Sequence, residues 1–486
     1  MQLLDRFEFA EVDGVPVVWT PGPAPLNASL TFRVGRADEP FVDGGITHLV
    51  EHLVMRGVGR MPIQVNAEVG PLFTSFDATG TASHVVDFLA RVCRELDRLD
   101  AVIDSAVDVE RQVLAAETEH SGSSPAVEAA SLRYGCRGVG RAAYREVGVQ
   151  HVTTQAILAW KHRWFSRDNA VLALTGPVPD GLRLALPAGQ RADVPRVSPR
   201  NLRLPAWDSD CGGTALSLPL PAADGIDLAV GRFLARAAED AVRHEKGLAY
   251  DVDSDGVQLD PLTTEVAIHA DNAPDRAAEV AGLLLDCVER FAQTGPSADD
   301  LEADRAEALE ALSDPRLTED AVGAAARQML TDAPVVTPAE MYRRTERRTT
   351  TELQEAVRAA ADRLLVLLPE DQELDRAGVA PLQPSSHPVP DGRELRPRLF
   401  TGAPRGARLV VGEKGVALRV PDGDLVALWD DVVGVSVEDD GTHVLQTADG
   451  PAVPIFARAF KGGDQVIDQA RARLPEALFI RQSAGS

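Results

Sequence analysis

His48-Leu49-Val50-Glu51-His52 places two imidazoles and one carboxylate on neighbouring turns of a helix. Positions i and i+4 share a helix face, and i+3 lies beside them. The flanking residues support a helix: Leu49, Leu53 and Val50, Val54 recur at helical spacing between Ile46 and Met55, and Gly44-Gly45 precedes them. Two neutral imidazole nitrogens on one face can grip a Zn²⁺, with Glu51 in reach of a water on the ion. A lone histidine here would read as an ordinary half-exposed helix residue; the pair with its glutamate points to metal.

Catalytic zinc takes a third protein ligand and keeps one position open. Glu117 is the candidate. It follows Glu110 by seven residues, so both project from one face of a second helix, two turns apart. One carboxylate can then ligate while the other orients the site. Glu119 and His120 are rival ligands by register.

Outward from the motif, 15–20 and 28–34 read as strands, as does 72–76. Helical periodicity covers 83–99, 107–119 and 153–165, and an apolar strand at 170–175 closes the unit. A second unit repeats the plan: a strand at 214–218, a helix at 226–243, strands at 249–257 and 263–269, four helices, and a closing strand at 364–368. After a Pro- and Ser-rich stretch the texture becomes six short strands separated by turns, then one helix at 464–474. The organisation expected is a zinc lobe over 1–185, a linker over 186–205, a similar lobe over 206–370, a linker over 371–398 and a small unit over 399–480. The fold class is α+β: two homologous α/β sandwich lobes, then a small β-barrel with a C-terminal helix.

The 486 residues carry 44% hydrophobic and 25% charged side chains, a globular balance. No apolar run is long enough for a membrane span. The N-terminal residues lack a basic start followed by an apolar stretch, so cytoplasmic location is expected. Cys93, Cys136, Cys211 and Cys287 are scattered, which indicates neither a Cys-metal site nor disulfides. A net charge of −25 argues against nucleic acid as a partner. It suits cationic peptides, or serves solubility alone.

Gly44 through Gly57 resembles the active-site helix of the pitrilysin/insulinase zinc metallopeptidases, whose motif is H-x-x-E-H. It is most like the short bacterial relatives of the mitochondrial processing peptidase. Glu110-Arg111-Gln112-Val113-Leu114-Ala115-Ala116-Glu117 resembles their second zinc segment. Arg243-His244-Glu245-Lys246-Gly247-Leu248-Ala249-Tyr250 is similar to a third signature. The resemblance implies a zinc endopeptidase for short or unfolded peptides. His48, His52 and Glu117 would be ligands, Glu51 the general base and Glu110 an orienting residue. Arg243 and Tyr250 would stabilise the reacting carbonyl. It also implies half of a clamshell that pairs with a like chain, as a homo- or heterodimer. The alternative within the same fold is a non-catalytic scaffold that binds peptide or a second peptidase-like chain.

Two departures stand out. The interval from His52 to Glu117 is short for that family. Its substrate-binding edge strand carries Asn-Ala before Phe-Thr, whereas Gly70-Pro71-Leu72 precedes Phe73-Thr74 here, so an asparagine and a backbone donor are expected to be missing. The tail resembles a PH- or GRAM-like domain, but residues 400–478 hold eight basic and twelve acidic side chains. Anionic lipid is therefore not expected, and a structural or protein-contact role is.

Overall fold

β6 (Ala170–Leu174), a strand of the first lobe, is Ala-Val-Leu-Ala-Leu and buried at every position. A strand apolar on both faces must be covered on both sides, and that requirement organises the molecule. The computed structural model describes residues 5–118, 123–209, 211–314, 316–398, 406–421 and 423–481.

The first sheet contains β1 (Glu8–Val12), β2 (Val15–Trp19), β3 (Leu26–Phe32), β4 (Gln64–Val69), β5 (Thr74–Gly80) and β6, in the order β1-β2-β6-β3-β5-β4. The helices of this part are α1 (Ile46–Val58), α2 (Ala82–Thr118), α3 (Pro125–Tyr134) and α4 (Thr154–Trp164). Leu49, Val50, Phe88, Leu89, Val92 and Ile157 of α1, α2 and α4 meet Leu30, Phe32, Phe76 and Leu172 of the sheet in one core.

The second sheet has the order β12-β7-β11-β8-β10-β9. Its strands are β7 (Ala206–Asp208), β8 (Thr214–Pro221), β9 (Ala249–Asp260), β10 (Thr263–Asn272), β11 (Leu365–Leu367) and β12 (Ala380–Pro381). Its helices are α5 (Ile226–Glu239), α6 (Ala277–Thr294), α7 (Ala298–Ala311), α8 (Leu317–Leu330), α9 (Pro338–Arg347) and α10 (Thr350–Ala360). Val230, Leu234, Leu284, Val288, Leu353 and Val357 of α5, α6 and α10 pack on Leu216, Leu218 and Ile268.

The outer sheet faces are covered by exchange. α8 lays Ala321, Val322, Ala325 and Ala326 on Val18, Val171 and Ala173 of the first sheet. α3 returns the favour to the second sheet, with Ala129 against Ala206, Ala215, Leu365 and Leu367. Both contact stripes are rich in alanine, which lets a helix sit close to a sheet. Arg133 of α3 locks the exchange through a bidentate pair with the buried Glu265 of β10, at 2.8 Å for each bond.

The C-terminal unit consists of β13 (Gly392–Leu395), β14 (Arg408–Gly412), β15 (Gly415–Val420), β16 (Gly423–Leu428), β17 (Val432–Val437), β18 (His443–Thr447), β19 (Ala452–Ile455), α11 (Gly463–Arg473) and β20 (Phe479–Arg481). The expected barrel is not closed. Two four-stranded sheets, β13-β14-β15-β16 and β19-β18-β17-β20, face each other around Leu409, Leu418, Leu445, Ile455 and Phe460, with Val466 and Ala470 of α11 at one end. Alternating inward apolar residues are common to barrels and sandwiches, so the pattern alone does not decide closure. β12 and β13 both lie within 371–398, the stretch read as a linker.

Two further readings change. The helices at 83–99 and 107–119 are one helix, α2, through residue 118. Residues 100–106, between the two stretches, hold neither glycine nor proline, so nothing in them ends the helix. The strand read at 72–76 is β5, starting at Thr74, and β4 precedes it unpredicted.

Candidate metal centre

α1 is preceded by Gly44-Gly45, where no side chain can cap. Gly45 has φ +91°, and a Cβ there would lie 2.3 Å from Val149 Cγ2. The cap comes from elsewhere: the buried Glu39 carboxylate accepts Gly45 N–H at 2.8 Å and Thr47 N–H at 3.0 Å, doing the work of an N-cap side chain. Trp160 of α4 donates to Thr47 Oγ1 at 3.1 Å. The start of the motif helix is thus pinned from two sides.

On its outer face the His48 and His52 rings sit 4.8 Å apart, nearly perpendicular at 81°. Their Nε2 atoms lie 3.8 and 3.4 Å from Glu117 Oε2. One ligand atom from each of the three residues falls within 4.8 Å of the others. A tetrahedral Zn²⁺ with bonds of about 2.0–2.1 Å separates its ligand atoms by roughly 3.3 Å, so small adjustments would suffice. Glu51 Oε2 is 3.9 Å from both Nε2 atoms, beside the point where the donors converge.

The opposite ring nitrogens are also held. His52 Nδ1 bonds Glu110 Oε2 at 3.2 Å, and Arg56 holds the other Glu110 oxygen at 2.9 Å. His48 Nδ1 bonds Glu146 at 3.0 Å, and Arg36 lies 3.4 Å from that carboxylate. With Nδ1–H donating to a carboxylate, each Nε2 presents its lone pair to the cluster, the arrangement usual for ligating histidines.

The charges reinforce one another. Burial alone would push His48 toward the neutral form, but the hydrogen bond and charge of Glu146, with the charge of Glu51, outweigh it and raise its pKa. Burial likewise acts to raise Glu146, yet His48, Arg36 and Arg141 hold it below the usual carboxylate range. Glu51 is raised, first by burial and then by Glu117 and Glu110, against the opposing imidazoles. A carboxylate with increased proton affinity suits proton transfer.

Seven of the residues singled out from sequence have a definite place. His48, Glu51, His52, Glu110 and Glu117 are together. Arg243 is not with them: it lies in a π-turn after α5 and pairs with Glu239 at 2.7 Å. Tyr250 is 81% exposed. Among the described residues, no hydrogen bond or ion pair joins Arg243 or Tyr250 to the cluster. Glu119 and His120 lie outside the described residues. Sequence reasoning missed Glu146, Arg36 and Glu39, because nothing in their spacing marks them; Glu146 is 98 residues from its histidine.

The edge-strand expectation is corrected. β4, Gln64-Val65-Asn66-Ala67-Glu68-Val69, is the sheet's outer strand and pairs only with β5. It carries Asn66-Ala67, the pair read as absent, and Asn66 is exposed. Gly70 to Phe73 form the turn into β5, with Gly70 N–H bonding Phe73 O at 2.9 Å. Pro71 therefore removes no donor from the edge. α1 packs beside this strand.

No protein-family model and no curated protein matches the chain. Solved structures do. A protease from Helicobacter pylori superposes with a TM-score of 0.63 at 16% identity, covering 75% of this chain and 100% of its own. A peptidase M16 inactive domain from Pseudomonas fluorescens gives 0.59 at 14%, covering 76% and 100%. The fold is that of the M16 peptidases. Pitrilysin gives 0.55 at 14% over 76% of this chain, which spans 46% of pitrilysin's length. At these identities the likeness concerns the fold. Among the described residues no helix is long and apolar enough to cross a membrane.

Proposed function

We propose that this chain is a zinc-dependent endopeptidase acting on extended peptides. The reading rests on one observation: two imidazole Nε2 atoms and a Glu117 oxygen converge, both Nδ1 atoms are held by carboxylates, and Glu51 stands equidistant from the two rings. His48, His52 and Glu117 would hold Zn²⁺, with Glu110 and Glu146 keeping the rings aimed. Bound zinc supplies Lewis acidity toward a peptide carbonyl and makes water more acidic. Glu51 accepts a proton from water and delivers it to the departing amide nitrogen.

The free edge of β4 gives a peptide somewhere to bind. An extended chain can add to it as a further strand, which favours short or unfolded substrates over folded ones. Asn66 faces solvent on this edge and can hydrogen-bond the peptide backbone. Arg243 and the exposed Tyr250 suit a role toward a second chain, so the working form in this reading is a homo- or heterodimer whose partner lobe completes the site.

The test is cleavage of a quenched fluorescent peptide by the purified full chain. Cleavage should vanish with chelator, return with Zn²⁺, and be lost in Glu51→Gln while that variant still binds zinc. Cleavage that persists in Glu51→Gln removes the mechanism. One structural neighbour is described as an inactive M16 domain, which keeps a second reading in view: a scaffold that binds peptide or a like chain without cutting. A zinc-loaded chain that binds peptide and leaves it intact would favour it.

A further inference from the structure

The C-terminal unit packs on the segment that orients His48. Cys136 N–H bonds Ala448 O at 3.0 Å, Arg137 pairs with the buried Asp449 at 3.1 Å, and Tyr144 Oη donates to Gly450 O at 3.4 Å. A Cβ on Gly135 would lie 2.4 Å from Ala448 O, so the two backbones are in direct contact. A second contact is made by β17: a Cβ on Gly434 would lie 2.6 Å from the Phe41 ring. Phe41 belongs to the single turn Phe41–Asp43 that leads into Gly44-Gly45 and α1.

The gripped segment is itself fastened to the start of the motif helix. Arg141 stacks over Phe41 at 5.3 Å, the Phe41 and Tyr144 rings meet edge to face at 6.1 Å, and Gly148 N–H bonds Gly44 O at 2.9 Å. Between Tyr144 and Gly148 stands Glu146, the carboxylate on His48 Nδ1. Residues 135–148 are therefore held between the C-terminal unit and the entry to α1, and they carry the group that aims one metal ligand.

We infer that the C-terminal unit is a positioning element of the metal centre: by fixing residues 135–148 and Phe41 it sets Glu146 and, through it, His48. The inference rests on the zinc reading above. The unit is then an integral wall of the first lobe, and its contact face is unavailable to an outside partner.

The experiment uses full-length variants, with zinc affinity read by competition against a chromogenic chelator and ligand geometry by the visible absorption of the Co²⁺-substituted protein. Glu146→Gln should weaken zinc by about 10–100-fold. Gly434→Leu, which pushes on Phe41 some distance from the ligands, should weaken it roughly tenfold and shift the Co²⁺ bands. Added to Glu146→Gln, it should cost less than about a further twofold, because both act through the same group. Tyr144→Phe, which removes the hydroxyl that bonds Gly450 O and fills nearly the same volume, should weaken zinc by about two- to tenfold; it decides the matter if Gly434→Leu does not fold. Folded variants with lowered thermal stability but unchanged affinity and Co²⁺ spectrum would overturn the inference. So would full additivity of Gly434→Leu with Glu146→Gln. A wild-type chain that binds neither ion would overturn the zinc reading, and this one with it.

Discussion

Replacing Arg133 by methionine tests whether the exchange of helices between lobes is held by charge. Arg133 on α3 and Glu265 on β10 have side chains only 4% and 0% exposed. Glu265 receives both guanidinium bonds at 2.8 Å and a further hydrogen bond from Ser217. Arg133 also donates to Arg363 O at 3.0 Å. Arg133→Met keeps the side chain long and apolar but leaves a buried carboxylate with one hydroxyl for company. Breaking a buried pair from one side costs about 3–5 kcal/mol, a large part of the roughly 5–15 kcal/mol that stabilises a domain. Urea unfolding followed by circular dichroism at 25 °C should show that loss. The double variant Arg133→Met/Glu265→Met removes the stranded charge, and should recover at least about 2 kcal/mol relative to the single one. If Arg133→Met lies within about 1 kcal/mol of wild type, or the double variant is no more stable than the single, the pair does not hold the lobes as argued.

Zinc affinity should rise with pH through the neutral range. His48 keeps its proton to a higher pH than a free imidazole, so below its pKa the ion must displace that proton; calorimetry in buffers of different ionisation enthalpy would detect the release, and a pH-independent affinity from pH 6 to 8 would contradict it. Asn66→Ala should raise KM for a peptide with little change in kcat, while Pro71→Ala, in the turn beyond β4, should leave both as they are; the reverse pattern would return the edge strand to the Pro71 region. Native thiols should resist labelling at pH 8, since burial pushes Cys93 and Cys136 up to about 12 and also raises Cys211 and Cys287. Rapid reaction of either Cys93 or Cys136 with a thiol reagent before denaturation would show that its surroundings are looser than described.

Much of the site was legible because its chemistry repeats at helical intervals. His48, Glu51 and His52 are bound to share a face once Ile46 to Val58 is helical, and Glu110 and Glu117 are bound to align once α2 forms. Errors arose where the signal was weak or shared. Residues 100–106 bring together Asp, Ser and the β-branched Val102 and Ile103, all weaker helix formers, and so imitate a helix end. Gln64 to Val69 alternates, with Gln64, Asn66 and Glu68 exposed, but Gln, Asn, Ala and Glu are weak strand formers, so its Asn66-Ala67 went unrecognised and Gly70-Pro71 was taken for the edge. In the C-terminal unit, inward alternation predicted strands correctly and closure wrongly, because a barrel differs from facing sheets only in which edges pair.

Local order, then, is written along the chain: the helix carrying the H-x-x-E-H pattern, the second helix with its two glutamates, and the repeated strand–helix plan follow from residue type and periodicity. Tertiary packing alone decided that Glu146 meets His48, that α3 and α8 change lobes, that Arg243 and Tyr250 stay away from their own chain's cluster, and that the C-terminal unit leans on the segment carrying Glu146. These are pairings across tens to hundreds of residues. They depend on shape, burial and charge in the folded state, and no spacing in the sequence encodes them.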